Sequence, residues 1–495
     1  MTKIKSAAAI IFLSILFAFI FFYRLDYNTL ESWDEAWYAS IAREMAKSGN
    51  FIQMIWNGKP YYDHPPMGFW LMAISYKLLG TNELATRLPS ALLGLFSVLL
   101  IYKIAHELFG KKVIGFVAAL ILGTSVWYVI RVRSGNLESV FIFFYLLTVF
   151  LSIKSAKNFN WFPLVMLSFG ALILSKTFIG ISALLLIFYF NFHQLIKIRK
   201  NFVLILVGGL FFMLTVFPWY NFHLKNYSNF FEYHFIHKGT RDKAFSSYFH
   251  LELSQPLFYL HMGVRKWYYI WIASLAFLLV TFKFLKKNIF FIFLWNFIIL
   301  YPFLTSKETE LWHLIPVYLP LSLIVAVGAY EFLSILSNIT EKLLLWFERS
   351  REPKRKNILL DSARRINNKR FINIIYLLPF IYIAFLQIKI FYKEVFPESR
   401  YITDQVDIAK KISKYNKKIF LDIDYLPVAV FYSGKQIETL VYEASGEATF
   451  SRLFKEDNGN VIGVTKNWVI EDLQKKKFPL KLLEKNYTYS ILTKP

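Results

Sequence analysis

Residues 31–45 read ESWDEAWYASIAREM and residues 57–70 read NGKPYYDHPPMGFW, and this stretch decides how the rest of the chain is interpreted. It lies between the first two strongly apolar segments, so we expect a loop held against a membrane surface. It concentrates side chains that can ionise, namely Asp34, Glu35, Lys59, Asp63 and His64. A loop that only joined two spans could be shorter and less polar, so this loop is the first candidate for a functional site.

Two pairs of ionisable residues in this loop support different interpretations. Asp34 and Glu35 open a predicted helix, where carboxylates suit the positive end of the helix dipole and could serve as a cap. Successive helical residues point about 100° apart, which indicates different roles for the two acids. Asp63 and His64 are followed by two prolines, which fix the backbone directly behind an acid and a possible ligand. The second pair favours a site over a simple helix cap.

The composition indicates a membrane protein. Of the 495 residues, 56% are hydrophobic and the mean hydropathy is +0.41, which is too apolar for a soluble protein. The net charge of +24 could indicate nucleic acid as a partner. Most Lys and Arg residues instead fall in short gaps between apolar runs, as loops facing the cytoplasm require, so we expect no nucleic acid. The absence of cysteine excludes disulfides and thiolate metal sites.

The apolar runs predict about eleven membrane-spanning helices, each long enough to cross a bilayer or nearly so. They lie near residues 6–23, 89–109, 113–130, 137–153, 161–175, 177–195, 202–219, 267–282, 288–305, 314–336 and 371–391. We interpret the first run as an uncleaved span. Every second gap is basic, which predicts a cytoplasmic N-terminus, a cytoplasmic loop at 339–370 and a C-terminus outside the cytoplasm.

This topology places most of the distinctive polar residues on the outer side. External loops are expected at residues 26–88 and 220–266, and we expect short helices beside the membrane in these loops. The predicted domains are a transmembrane catalytic domain at residues 1–392 and an extracytoplasmic α/β domain at residues 393–495. The latter assignment depends on short strand patterns that alternate with helical ones. The α/β segment contains no glycine-rich phosphate loop.

Three motifs carry a resemblance to a known family: the DE-x-x-Y pattern that ends at Tyr38, the YYDHPPMGFW stretch and the later RLPSALLG at residues 87–94. Together they resemble the GT-C membrane glycosyltransferases of the protein O-mannosyltransferase and lipid A aminoarabinose transferase superfamily. The resemblance implies a mainly α-helical, polytopic GT-C fold in the cytoplasmic (inner) membrane. It implies transfer of a sugar from a polyprenyl-phosphate carrier, with inversion, to a hydroxyl or phosphate of a protein, a lipid A-like glycolipid or an envelope glycan.

The resemblance also assigns roles to particular residues. Candidate catalytic acids are Asp34, Asp63 and Glu138, with Asp34 as the base that activates the acceptor. Candidate ligands of the donor and its phosphate are Tyr38, Lys59, His64, Arg133, Lys176, Arg241 and Lys307. Supporting residues are Glu35, Arg87, His237 and His313. The chain departs from the family where His64 replaces the usual Lys, Glu138 a common Asp, Thr177 a Gly and His313 a Tyr.

A divalent metal is a further candidate, because an imidazole near two carboxylates can bind one; Asp63 and His64 are its candidate ligands. No other cofactor is expected. Two alternatives to an enzyme remain open. The chain could be a polytopic transporter or flippase of lipid-linked sugars, although transporters tend to show internal repeats and broken helices at mid-membrane. It could also be a membrane-anchored binding protein that acts through its C-terminal domain.

Overall fold

The computed structural model describes residues 2–30, 33–237, 250–306, 309–351, 376–399, 401–422 and 426–495. The chain forms two compact units. The first, called here the helical unit, consists of Met1–Tyr23, Ala91–Arg133 and Leu137–Phe396. The second, called the mixed unit, consists of Arg24–Ser90, Ser134–Asn136 and Pro397–Pro495. The predicted domain boundary between residues 392 and 393 stays a prediction. Each of the two compact units consists of three separate segments of the chain.

Helices dominate the described residues. In chain order they are α1 Thr2–Phe22, α2 Trp33–Ser48, α3 Met67–Leu79, α4 Glu83–Phe109, α5 Lys112–Thr124, α6 Val126–Val132, α7 Glu138–Lys157, α8 Phe162–Ile173, α9 Thr177–Ile181, α10 Ala183–Leu195, α11 Ile198–Asn226, α12 Ser254–Val264, α13 Lys266–Val280, α14 Lys287–Leu304, α15 Tyr318–Arg351, α16 Tyr376–Ile390, α17 Tyr392–Val395, α18 Asp404–Ile412, α19 Leu426–Ser433, α20 Gly446–Lys455 and α21 Asn467–Lys475. The strands are β1 Met54–Trp56, β2 Lys59–Tyr61, β3 Lys418–Leu421, β4 Ile437–Thr439, β5 Val461–Lys466, β6 Lys481–Lys485 and β7 Tyr489–Thr493. Short 3₁₀ turns and one π-helical segment (Glu232–His237) complete the list.

Several of these helices have the length and composition of membrane spans, so the chain is a multi-pass membrane protein. Among the described residues six helices qualify, and the pair α5 and α6, bent by 69° at Ser125, makes a seventh if it is one span. Shorter apolar helices lie at Ala7–Phe22, Met67–Leu79, Phe159–Ile173, Lys266–Val280 and Tyr376–Ile390. Each of the eleven predicted runs overlaps one of the seven or of the shorter helices. The exact number of spans stays a prediction.

Helix α11 illustrates how the helical unit packs. Its outward residues Val203, Leu206 and Leu214 are 60% or more exposed, which suits contact with lipid rather than water. On its packed side, a Cβ at Gly208 would lie 3.0 Å from Met166 of α8. The small residue therefore allows close approach of the two helices, a typical device of membrane helix pairs.

The mixed unit begins with α2, α3 and a small hairpin. Strands β1 and β2 pair antiparallel, and the turn residues Asn57 and Gly58 both have positive φ, 51° and 79°, which a tight two-residue hairpin requires. Trp37 of α2 packs edge-on against Trp56 and Tyr61 of the hairpin, with ring centroids 5.3 and 5.4 Å apart. The aromatic contacts fix the hairpin against the helix that carries the DE pair.

The C-terminal part of the mixed unit contains a five-stranded sheet in the order β4-β3-β5-β7-β6. Strand β3 pairs parallel with β4 and β5, while β7 pairs antiparallel with β5 and β6. Helices α18 and α19 pack with one face of this sheet, and α20 and α21 pack with the other. Side chains alternate between the two faces along β3, so Ile419 and Leu421 enter one core and Phe420 the other.

Candidate active site

A buried ion pair joins the second acid of the DE motif to the arginine of RLPSALLG. Arg87 binds Glu35 through two parallel bonds, Nε to Oε1 at 2.7 Å and Nη2 to Oε2 at 3.0 Å. Its remaining donors bind the carbonyls of Leu25, Asn28 and Thr29 at 2.8–3.0 Å. All five N–H groups of the guanidinium are thus used, which compensates for the burial of its charge. The pair fixes the start of α2 to the segment before it.

The carboxylate of Glu35 has a third bond. The backbone N–H of Gly135 donates to Glu35 Oε1 at 2.8 Å, and Ser90 Oγ donates to the carbonyl of Asn136 at 3.0 Å. A Cβ at Gly135 would lie only 2.5 Å from Cγ2 of Thr86, so the position has room for glycine alone. Glu35 is therefore a buried structural carboxylate that holds the short segment Ser134–Asn136 inside the mixed unit.

Asp34 has a different environment from its neighbour. It lies half-buried in the first turn of α2, where the helix dipole favours a charged carboxylate. Because successive residues point about 100° apart, the Asp34 carboxylate leaves the helix in a different direction from Glu35. Glu35 thus has a structural role, and the two neighbouring acids of the DE pair have different surroundings.

Tyr38 lies one turn after Asp34 on the same face of α2 and meets the second acidic pair. Its buried ring contacts His64 edge-on, with centroids 5.8 Å apart and an interplanar angle of 81°, and it also packs on Phe69 of α3. His64 and Asp63 are half-buried, and α3 begins directly after the two prolines. The structure thus brings Tyr38 and His64 together within the mixed unit, as a site would require.

Lys59 and the predicted metal site are the remaining predictions for the loop between α2 and α3. Lys59 is exposed on β2 of the hairpin. Among the described residues there is no group of three or more His, Asp and Glu side chains that could hold a metal ion. Asp63 and His64 supply at most two protein ligands, fewer than the three that catalytic zinc sites use. Metal binding stays an untested prediction.

The helical unit holds a second charged cluster, called here the Glu138 cluster. Glu138 begins α7 and is 8% exposed, and Lys176 Nζ donates to its Oε1 at 3.0 Å. Arg131 Nε lies 4.0 Å from Oε2 of the same carboxylate. The guanidinium of Arg131 also stacks over Trp312, 4.7 Å from the ring centroid. Two cations share one carboxylate, so the cluster has a net charge of +1 and can accept an anion.

The Oε2 atom of Glu138 is buried and accepts no hydrogen bond from the described part of the chain. A buried carboxylate oxygen without a donor is costly unless a ligand or water reaches it. The Glu138 carboxylate is therefore less completely hydrogen-bonded, among the described residues, than the Glu35 carboxylate. We regard it as the better candidate for ligand contact.

The structure gives Arg133 a role that the sequence did not indicate. Its guanidinium donates to the carbonyls of Ile20 and Tyr23 at 2.7 and 2.9 Å, where α1 ends. Arginine at a helix C-terminus satisfies carbonyls that lack a partner in the helix. Arg131, two residues earlier, is the arginine beside Glu138, and the sequence analysis missed it. Residues two apart on a helix point about 200° apart, which could have shown that the two arginines face different partners.

The remaining predicted residues are Arg241, Lys307, His237 and His313. Arg241 and Lys307 lie outside the described residues. His237 is exposed in the π-helical segment, with Nε2 3.7 Å from Glu232. His313 caps its own 3₁₀ turn, because its Nδ1 accepts the backbone N–H of Glu310 at 3.0 Å. Their assignment to the donor site stays a prediction.

The sequence and the fold of the chain are similar to those of known proteins. Residues 63–221 match the protein family described as dolichyl-phosphate-mannose-protein mannosyltransferase. The structure superposes on ArnT from Cupriavidus metallidurans bound to undecaprenyl phosphate with a TM-score of 0.68, at 16% identity, over 98% of this chain and 97% of that chain. It superposes on the apo oligosaccharyltransferase of Archaeoglobus fulgidus with a TM-score of 0.58, at 12% identity, over 93% and 69% of the two chains. These comparisons confirm the predicted resemblance: residues 63–221 match the protein mannosyltransferase family, and the chain shares the fold of ArnT and of the oligosaccharyltransferase, as GT-C glycosyltransferases of this superfamily would.

Particular relatives narrow this class. An uncharacterized protein of Aquifex aeolicus (strain VF5) is 27% identical over 406 residues, which cover 70% of this chain and 81% of that protein. The undecaprenyl phosphate-alpha-4-amino-4-deoxy-L-arabinose arabinosyl transferase of Pseudomonas savastanoi pv. phaseolicola (strain 1448A / Race 6) is 36% identical over 109 residues. That match covers 22% of this chain and 20% of the transferase, so it spans about a fifth of the relative's length. The relatives with a named activity are glycosyltransferases, which supports the prediction that this chain is a transferase.

Proposed function

We propose that this protein transfers a sugar from a polyprenyl-phosphate carrier to an acceptor outside the cytoplasmic membrane. The observation that carries the proposal is the difference between the two acids of the DE motif, Asp34 and Glu35. Glu35 is fully engaged with Arg87 and Gly135, and it fixes the helix turn from which Asp34 projects. A base whose backbone is held by a buried, five-bonded arginine is pre-organised, as proton transfer requires.

Asp34 acts as the general base in this proposal. The oxygen of the acceptor attacks the anomeric carbon of the sugar, its proton passes to Asp34, and the bond from that carbon to the carrier phosphate breaks. The polyprenyl phosphate leaves with the bonding electrons. A base on the opposite side from the phosphate makes the attack inverting. Tyr38, one turn after Asp34 on α2, and His64, whose ring it contacts, are assigned to holding the sugar.

The Glu138 cluster is assigned to the carrier phosphate. Arg131 can bind a phosphate through its planar fork while its face stays stacked on Trp312, and Lys176 adds a point charge. Glu138 lies between the two cations and holds their positions. A departing phosphate gains negative charge as its bond to the sugar breaks, so fixed cations stabilise that step more than the ground state.

Location and substrates follow from the same proposal. The alternation of basic gaps supports an inner-membrane protein with a cytoplasmic N-terminus and an extracytoplasmic C-terminal α/β domain. The names of the relatives support a polyprenyl-phosphate donor. The proposed acceptor is a glycolipid, an envelope glycan or a protein hydroxyl. Binding of a divalent metal at Asp63 and His64 is a separate proposal, which loss of activity on treatment with a chelator would support.

A deletion strain tests the function in cells. Mass spectrometry of its envelope glycolipids, glycans and proteins should show the loss of one sugar modification. The wild-type gene and an Asp26→Asn variant should restore the modification, because Asp26 is an exposed acid of the same loop. An Asp34→Asn variant of equal abundance should not restore it. Restoration by Asp34→Asn would show that Asp34 is not the general base. An unchanged set of envelope sugar modifications in the deletion strain would contradict the proposed transferase activity.

A further inference from the structure

Within the mixed unit, the C-terminal part of the chain contacts the loop that carries the DE motif. Three side chains make these contacts, namely Arg43 of α2, Asn57 of the hairpin turn and Tyr432 of α19. On the C-terminal side each contact falls within residues 430–437, a stretch that contains the end of α19 and the start of β4. We therefore treat residues 430–437 as one docking segment.

Arg43 joins α2 directly to α19. It is 5% exposed, and its Nη1 donates to the carbonyls of Val430, at 3.1 Å, and of Phe431. Both carbonyls belong to the last turn of α19, where an arginine suits the negative end of the helix dipole. Nε and Nη2 of Arg43 donate to Glu44 Oε1 at 3.2 and 2.9 Å, which fixes the plane of the guanidinium.

The docking segment belongs to the packed core of the C-terminal sheet. Val430 and Ile437 are 2% and 1% exposed in the same apolar cluster. Asn57 forms two bonds with the backbone of Ile437, from its Nδ2 to the carbonyl at 2.7 Å and from the N–H to its Oδ1 at 2.9 Å. The hairpin that packs on Trp37 of α2 is thus bonded to the first residue of β4.

Tyr432 makes the third contact. Its hydroxyl accepts the backbone N–H of Leu30 at 2.7 Å and donates to Glu83 Oε1 at 2.9 Å. Burial raises the pKa of Tyr432, so the hydroxyl keeps its proton and can donate at neutral pH. Glu83 and Arg87 lie one turn apart on α4. Tyr432 therefore extends the bonded group in which Arg87 holds Glu35.

The position of Arg43 on α2 decides what its contact can do. Arg43 follows Asp34 by nine residues, which places the two side chains on opposite sides of the helix, about 180° apart. Tyr38, one turn after Asp34, shares the side of Asp34. The ion pair of Glu35 fixes the start of α2, but a helix that is held at one point can still tilt about it. Arg43 adds a second fixed point from behind.

We propose that the docking segment positions α2 through Arg43, so that Arg43 is a positioning residue for the base Asp34. The inference rests on the proposed transfer reaction and assigns the C-terminal α/β part a role in it. Arg43 holds the direction of the helix, while the side of α2 that carries Asp34 and Tyr38 stays free of this contact. Loss of the contact should therefore slow transfer without weakening the binding of the donor.

The first measurement asks how firmly α2 is held in the full-length protein in detergent. Hydrogen–deuterium exchange of peptides from residues 33–48 gives the answer. Arg43→Met should raise their exchange rate at least about fivefold, the factor that the loss of one hydrogen bond implies. Arg452→Met is the matched control, because Arg452 belongs to the C-terminal part, pairs with Glu443 and is 63% exposed. It should leave the exchange of α2 at the wild-type rate.

The second measurement is the rate of transfer from undecaprenyl-phosphate sugars to an envelope extract. The kcat of Arg43→Met should fall at least about tenfold, because a misplacement of about 1 Å can cost about 10²-fold in rate. Its KM for the donor should stay within about twofold of the wild-type value, since no contact with the donor is removed. Arg43→Lys keeps a donor for the two carbonyls of α19 and should retain more of the rate than Arg43→Met.

Three outcomes would overturn the inference. The first is exchange of α2 in Arg43→Met equal to that in Arg452→Met, whether or not transfer is measured. The second is a kcat of Arg43→Met at the value of the control, and the third is a rise in the donor KM that accounts for the whole loss. Absence of transfer by the wild-type protein would instead contradict the proposed function, and the exchange measurement would still decide whether Arg43 fixes α2.

A milder pair of variants covers the case in which Arg43→Met does not fold. Tyr432→Phe keeps the ring and removes the hydroxyl that contacts the loop. Tyr415→Phe is its control, because the Tyr415 hydroxyl donates to Glu484 at 2.9 Å within the C-terminal part. Faster exchange of α2 and a lower kcat in Tyr432→Phe alone would support the inference, and equal values in the two variants would contradict it.

Discussion

At the scale of single residues, two buried arginines have different surroundings, and we expect them to have different roles. Arg87 has every donor bonded inside the mixed unit, whereas Arg131 of the helical unit has its guanidinium stacked on Trp312 beside a shared carboxylate. A charge that is fully bonded resists replacement, because its partners are buried and lose their compensation when it is removed. The two arginines should therefore respond differently to substitution.

Arg87→Met tests the structural charge. We expect it to lower the free energy of unfolding by about 3–5 kcal/mol, because Glu35 would remain buried without its cation. Equilibrium unfolding of the purified protein in mixed detergent gives the value. Arg452→Met is the control, since Arg452 forms an ion pair with Glu443 at 3.0 Å but is 63% exposed, and should cost at most about 1 kcal/mol. Equal losses in the two variants would contradict the structural role of Arg87.

Lys176→Met tests the charge assigned to the ligand. Loss of one charge-assisted bond should weaken binding of undecaprenyl phosphate about ten- to a hundredfold. Competition against a labelled lipid phosphate in detergent measures the change. Lys200→Met, which removes an exposed lysine at the start of α11, should leave the affinity unchanged. Unchanged affinity in Lys176→Met would remove this lysine from the phosphate site.

At the scale of elements, the short segment Ser134–Asn136 is held by close packing as well as by hydrogen bonds. Gly135 faces Thr86 of α4, and a methyl group at that position would meet Thr86 Cγ2 at 2.5 Å. Helix and loop are therefore fitted to each other, and a change on one side can be compensated on the other.

Gly135→Ala should lower the free energy of unfolding by about 1–3 kcal/mol, the usual cost of overpacking. Thr86→Ser removes Cγ2 and keeps the hydroxyl that contacts Tyr76 at 2.6 Å. In the double variant most of the loss should therefore be recovered. Equilibrium unfolding of the four proteins forms a double-mutant cycle. Strictly additive losses would show that the two positions are not in contact.

The sequence predicted the elements better than the contacts. Apolar runs located the helices of the helical unit because a lipid environment demands long apolar segments. The DE motif, Tyr38 and His64 were identified from local patterns, and the structure places Tyr38 against His64. The bond from Gly135 to Glu35 joins residues 100 positions apart, and no local pattern encodes such a contact.

At the scale of the whole molecule, the predicted orientation in the membrane can be tested with single cysteines. The native chain has none, so Ser350→Cys and Ser451→Cys each provide one reactive thiol. An impermeant thiol reagent should label Ser451→Cys in cells with a permeable outer barrier and an intact cytoplasmic membrane. Ser350→Cys, in the predicted cytoplasmic loop, should be labelled only after that membrane is permeabilised. The reverse pattern would overturn the topology.

The central claim is that the chain releases a polyprenyl phosphate while Asp34 takes a proton from the acceptor. The most direct measurement follows release of undecaprenyl phosphate by the purified protein, supplied with a panel of undecaprenyl-phosphate sugars and an envelope extract that contains lipids, glycans and proteins as acceptors. We predict release from at least one donor, dependent on the extract, and a loss of about 10²–10⁴-fold in Asp34→Asn but not in Asp26→Asn. Asp34→Asn should still bind undecaprenyl phosphate. Release by Asp34→Asn at the wild-type rate, or no release from any donor, would contradict the account.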